Sequence, residues 1–93
     1  MKNRFVRDHM VVNVKITIRG KPCYEKWSIY QWILDYKDIL EREYGVVIDI
    51  DLVDSSEEYP IIIINNRVIG EPPFEEGYVI EFLKKALDEI LKK

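Results

Sequence analysis

The feature that most constrains this chain is a switch in hydrophobic period along its first half. Residues 11–19, VVNVKITIR, alternate: Val12, Val14, Ile16 and Ile18 fall on one side, and Asn13, Lys15, Thr17 and Arg19 on the other. A period of two predicts a strand with one wet face. Gly20-Lys21-Pro22 interrupts it. From about Glu25 to Tyr44 the apolar residues Ile29, Trp32, Ile33, Tyr36 and Leu40 share one stripe at helical spacing, widened near its start by Trp27 and Tyr30. Gly45 stands where a helix of this length would stop, since glycine accepts the left-handed conformation past a C-terminus. Alternation then resumes in residues 46–53, VVIDIDLV, with Ile48, Ile50 and Leu52 opposed to Asp49 and Asp51. Two acids on one strand suit a sheet edge, where charge discourages foreign pairing.

The second half reads as a hairpin and a helix. Asp54 to Tyr59 is polar, and Pro60 opens the run IIII at 61–64; proline is tolerated at a strand's first residue. Asn65-Asn66 predicts a tight turn, because asparagine accepts positive φ, and Val68-Ile69 the returning strand. Gly70-Glu71-Pro72-Pro73 ends it. From about Phe74 to Leu91, Val79, Phe82, Leu83, Ala86, Leu87, Ile90 and Leu91 form an apolar helical face. Glu75 and Glu76 at its start and Lys92 and Lys93 at its end complement the helix dipole. The predicted order is β-α-β-β-β-α, an α/β chain. Residues 1–9 lack periodicity and are expected to form an arm, with 10–93 a single domain. A ferredoxin-like sandwich would need one more strand after the last helix, and the closing LKK cannot supply it.

Composition narrows the function classes. A chain of 93 residues has room for one core. A net charge of −3 and a pI of about 5.2 argue against a nucleic-acid binder, which usually presents a basic face. The single cysteine, Cys23, permits no internal disulfide and no cysteine-rich metal site, so a reducing, cytoplasmic setting is expected. The longest aliphatic run, 61–64, is far too short to span a bilayer. His9 is the only histidine, and no Gly-rich phosphate loop or Ser-His-Asp order is present. No metal or cofactor is expected.

Pro22-Cys23-Tyr24-Glu25-Lys26 at the first strand-to-helix junction, Tyr59-Pro60 before the third strand, and the hairpin Ile64 to Gly70 carry a resemblance. Together with the element order they make residues 10–91 similar to the thioredoxin-like superfamily, in its short glutaredoxin-like and archaeal mini-thioredoxin form. The family's CxxC motif reads CYEK here, with Lys26 in place of the second cysteine. The resemblance implies a mixed four-stranded sheet with the helices mainly on one face. The family's second helix is missing, replaced by residues 54–59. It also implies that Cys23 is the attacking sulfur and that Tyr59-Pro60 is a cis peptide beside it. The backbone of Tyr59 would pair with an extended partner. Gly70-Glu71 takes the place of the family's glycine step after the fourth strand.

Two functional expectations follow. In the first, Cys23 is a single-thiol nucleophile for thiol–disulfide exchange or redox sensing, a monothiol oxidoreductase. Free N–H groups at a helix N-terminus favour the anionic sulfur, and Lys26, one turn on, adds positive charge. Tyr24, Tyr59, Pro60 and Gly70 would contact a protein partner or a small thiol. In the second, Cys23 is inert and the chain is an interaction module. The sheet face left bare by the missing helix would then bind a partner, or a second copy as a homodimer. Two isoleucines of 61–64 must project to that face, where a docked arm carrying Phe5 and Val6 could also cover them. Lys15 or Arg19 is expected to pair with Asp49 or Asp51 there. Glu57 and Glu58 are expected to be solvated loop charges. Tyr24, Trp27, Tyr30, Trp32, Tyr36, Tyr44, Tyr59 and Tyr78 could build a binding surface near Cys23, and Tyr24 and Trp27 could shield the sulfur, but most of them are expected to fill the core.

Overall fold

The computed structural model describes residues 12–91. The arm expected at 1–9, with His9, Phe5 and Val6, lies outside them. The elements are β1 (Val12–Gly20), α1 (Tyr24–Tyr44), β2 (Val46–Asp54), β3 (Ile61–Ile64), β4 (Arg67–Gly70) and α2 (Glu76–Leu91), in the order read from the sequence.

The strands form one mixed sheet in the order β2-β1-β3-β4. β1 runs parallel to β2 in unbroken register from Val12 opposite Val46 to Gly20 opposite Asp54. β3 is antiparallel to β1, with Ile16 opposite Ile64 and Ile18 opposite Ile62. That register places every even-numbered residue of the three long-paired strands on one face. Val14, Ile16, Ile18, Val46, Ile48, Ile62 and Ile64 are buried there. Ile29, Ile33 and Leu40 of α1 and Val79, Leu83, Ala86 and Leu87 of α2 join the same core, so both helices cover this one face. Each buried side chain of this size contributes roughly 1.5–3 kcal/mol, and the core is the main stabilising term.

The opposite face carries the odd-numbered residues. Lys15 reaches Asp51 at 3.5 Å, as cross-strand pairing predicts. Arg19 does not join β2. It forms a two-pronged pair with Glu57, Nε to Oε1 at 2.9 Å and Nη2 to Oε2 at 2.7 Å. Ile61 and Ile63 are half-buried, and Val68, opposite Ile63, is 59% exposed.

The turn chemistry follows the sequence. Gly45 has φ 66° and returns its N–H to the Glu41 carbonyl at 2.8 Å, closing α1. Asn65 and Asn66 take φ of 51° and 69°, and the Asn65 side chain accepts the Lys15 N–H at 2.9 Å. Both central residues are left-handed, as a type I′ hairpin requires.

Two expectations are corrected. The Tyr59–Pro60 peptide is trans; no cis bond occurs among the described residues. β3 enters beside Gly20, whose missing Cβ would lie 3.2 Å from Pro60 Cα, so the chain passes close to β1 without a cis kink. The trans form is also the intrinsically favoured one, by about 0.5–1 kcal/mol. Nor do most of the aromatics fill the core: Tyr24, Trp27, Tyr59 and Tyr78 are exposed, Tyr30, Trp32 and Tyr36 are partly buried against it, and of the eight Tyr44 is the one fully inside. No described helix is long and apolar enough to cross a membrane.

Candidate functional site

The site is built where the parallel pair β1/β2 ends. In an open α/β sheet the crevice beyond the carboxyl ends of the strands is the usual place for a ligand. Here the Gly20-Lys21-Pro22 break turns the chain off β1 and delivers Cys23 to the start of α1. Cys23 is the N-cap residue, extended at φ −161° and ψ 168°; its carbonyl accepts the Trp27 N–H at 3.2 Å, and its side chain makes no capping bond. The thiol is part-exposed. Pro22, Cys23, Lys26, Trp27, Leu52 and Asp54 line one cleft of about 270 Å³. Leu52 lies on the covered side of β2, yet beyond the end of the core, and is 39% exposed.

Lys26 faces this cleft with its charge already paired. It is 3% exposed, and its ammonium donates to the Gly20 carbonyl at 2.8 Å and to Asp54 Oδ1 at 2.6 Å. A buried cation must be paired, and both partners are chain ends of the parallel strands. Lys26 therefore ties β1, β2 and α1 together. Asp54 was expected to be the first residue of a loop. Its part could have been read from topology: a strand–helix–strand unit brings the end of β2 beside the first turn of α1.

The loop from Ser55 to Pro60 is stapled to the same end of β1. Ser55 N–H donates to the Gly20 carbonyl at 3.0 Å, and Lys21 N–H to the Glu57 carbonyl at 3.1 Å. The Glu57 carboxylate accepts Arg19 and, at 2.6 Å, the Ser55 hydroxyl. Arg19 first and Ser55 second hold this acid down at about 2. Lys21 likewise holds Glu58 below the usual carboxylate range, across 2.8 Å. Both glutamates are thus loop anchors, not merely solvated charges. Six residues, Ser55 to Pro60, stand with these bonds where the resemblance calls for a helix.

The other expected contacts divide. Tyr24 lies just outside the cleft, exposed, with its ring edge-on to Phe74 at 6.3 Å; Phe74 in turn packs on Trp32 at 5.2 Å. Tyr59 is exposed, and Pro60 is buried against Gly20, but neither lines the cleft. Gly70 lies on the far strand, paired with Ile62, with φ 133° and the Phe82 ring 4.0 Å from where a Cβ would be. It is not brought to Cys23 in that cleft. No group of three or more His, Cys, Asp or Glu side chains that could hold a metal ion occurs among the described residues.

One group went unnoticed in the sequence. Glu41 of α1 accepts the Ile48 N–H of β2 at 2.8 Å, a bond that leads in lowering this acid, with Lys37 at 3.2 Å helping. Comparison with protein-family models, curated proteins and solved structures gives no match.

Proposed function

We propose that this chain is a thioredoxin-like interaction module that receives an apolar side chain of a protein partner in the cleft beside Cys23, with no redox turnover. The fold part of this reading is supported by the element order, the β2-β1-β3-β4 sheet and the placing of both helices on one face. The binding part rests on one observation: Cys23, Trp27 and Leu52, all partly or well exposed, converge on a single cleft at the carboxyl end of the parallel strands. Exposed aromatic and aliphatic side chains around a concavity are what a protein partner desolvates.

Two observations favour an inert sulfur over a catalytic one. The Lys26 charge is offset by Asp54, and the Tyr59–Pro60 peptide is trans. A second reading, monothiol exchange, is favoured by the uncapped, part-exposed position of Cys23 at the amino end of α1. In that reaction the Cys23 thiolate attacks one sulfur of a partner disulfide. The Cys23–partner disulfide forms, and the other partner sulfur leaves as a thiolate. With a single cysteine in the chain, the product waits for an external thiol.

The two readings separate in one experiment. The rate of mixed-disulfide formation with 2-hydroxyethyl disulfide is measured on the native and the urea-unfolded chain at one pH. The module reading expects the native thiol to react no faster than the unfolded one. A native rate more than about tenfold higher, the mark of an activated thiolate, would establish monothiol exchange instead.

A further inference from the structure

We propose that the outer edge of β2, from Ile50 to Asp54, accepts an extended partner strand whose residues alternate apolar and basic. The edge proposal shares the cleft with the function proposed above, and its backbone part stands independently of it.

Among the described residues β2 ends the sheet, so one of its two sides has no strand neighbour there. Which backbone groups point that way can be read from two bonds. Ser55 N–H donates to Gly20 of β1, so the odd-numbered positions on and after β2 turn inward. Ile48 N–H donates instead to the Glu41 carboxylate of α1, so the even-numbered positions turn outward. In a strand the N–H and C=O of one residue point to the same side, and successive residues alternate. Ile50 and Leu52 therefore present their N–H and C=O groups at the outer edge.

Glu41 seals that edge at Ile48. Downstream, no described group hydrogen-bonds the N–H of Ile50 or Leu52 outside the ladder. Nor does a proline or bulge blunt the strand: its nine residues hold register with β1 throughout. β4, the opposite edge, is only four residues long and its pairing is irregular at Ile62/Ile63, two devices that discourage added strands. β2 is the edge left able to pair.

The two faces of an added strand meet different surroundings. On the helix side lie half-buried Ile50, exposed Leu52 and the cleft of Pro22, Cys23 and Trp27. An apolar side chain of the partner enters there. On the open side lie the exposed acids Asp49 and Asp51, the second sharing Lys15 at 3.5 Å, followed by exposed Val53. Lysine or arginine at alternate positions of the partner complements them. The same acids act against a second copy in one register: antiparallel self-pairing about Ile50 sets Asp49 of each copy opposite Asp51 of the other, and like charges directly opposite are destabilising. Pairing about Leu52 sets Asp51 opposite Val53 instead.

The test uses the full chain labelled with ¹⁵N and a blocked peptide, Lys-Val-Lys-Leu-Lys-Val-Lys. Two comparison peptides accompany it: one with glutamate for each lysine, and one of the same composition with its lysines gathered at one end. The alternating basic peptide is expected to shift the Ile50 and Leu52 amides and slow their hydrogen exchange. Asp49→Asn with Asp51→Asn weakens it about five- to tenfold, as two cross-strand ion pairs would. Equal binding by the acidic or the segregated peptide overturns the proposal, as does protection confined to β3 and β4. A concentration-dependent protection of Ile50 and Leu52 without peptide overturns it in favour of a second copy. Trp27→Ala keeps the two readings apart. If the amides are protected equally in that variant, the edge proposal stands and the cleft reading fails. If Trp27→Ala abolishes a binding that never protects Ile50 and Leu52, the cleft reading stands and the edge proposal fails.

Discussion

At the scale of single residues, Lys26 shows how a side chain can be located correctly while a structural task goes unread. Its place one turn after Cys23 was legible in the sequence; its partners were not, because Gly20 and Asp54 are 6 and 28 residues away. Lys26→Met keeps the buried stem but removes the ammonium bond to the Gly20 carbonyl, which keeps only the Ser55 N–H. Loss of a buried bond from a charged donor costs about 1–3 kcal/mol, with little added by the pair to Asp54, whose side chain is 76% exposed. In a domain this small the Tm is expected to fall by roughly 5–15 °C, read by thermal circular dichroism; an unchanged Tm would remove the clamp. Glu57 gives a prediction in pH. Its native carboxyl is held at about 2 against an ordinary value of 4.5, so the unfolded chain takes up that proton first on acidification. The stability it contributes is complete above pH 4.5 and is lost as the pH falls towards 2. Glu57→Gln is expected to flatten the fall of the urea midpoint across that window. A slope identical to that of the parent chain would mean that the bond to Arg19 is not held in solution.

At the scale of elements, what the sequence discloses is what is local. Alternation along 12–19 and 46–53, the stripe of Ile29, Ile33 and Leu40, the stop at Gly45 and the turn at Asn65-Asn66 all depend on neighbours within a few residues, and each appears in the structure. The bonds between elements left no such signature. Tyr44, the last residue of α1, was legible only as a helix end. In the fold it is buried, and its hydroxyl donates to Asp88 Oδ1 of α2 at 2.8 Å. Burial first, and then the Asp88 carboxylate, push the phenol up to about 12 from 10.0. Over that interval the native chain keeps a proton that the unfolded chain has lost, so stability is present below pH 10 and is lost as the pH rises towards 12. Tyr44→Phe is expected to weaken the chain at neutral pH by about 1 kcal/mol, the net worth of one hydrogen bond. It is also expected to remove part of the alkaline loss. Urea titrations at neutral and alkaline pH read both effects; an unaltered alkaline slope would sink the assignment to Tyr44. The hairpin offers the opposite sign. Asn66 sits at φ 69°, so Asn66→Gly relieves a left-handed side chain and is expected to be neutral or to stabilise by a few tenths of a kcal/mol. Asn65→Ala loses both the turn preference and the bond to Lys15, costing about 1 kcal/mol.

At the scale of the whole molecule, the question is what the helix-free face of the sheet does. Among the described residues no helix covers it, because both helices pack on the even-numbered residues. A homodimer was one expectation for that face, drawn from the need for two of the four isoleucines at 61–64 to point outward. They do so as Ile61 and Ile63, half-buried, beside exposed Val68. The middle of the face is otherwise occupied by charge: Lys15 with Asp51, and Arg19 with Glu57. Stable interfaces bury about 1,200–2,000 Å² in total and deplete charge from their centre. The aliphatic side chains of this face, Ile61, Ile63 and Val68 on one side and Val47 and Val53 on the other, are separated by these charges and meet neither condition. The chain is therefore expected to sediment as a monomer of 11.1 kDa at concentrations of about 100 μM, well above those at which a micromolar dimer would form. Twice that mass would contradict the argument, and Ile63→Lys would then locate the contact. Restoration of the monomer would assign it to the open face, whereas an unmoved dimer would leave the outer edge of β2 as the surface to test.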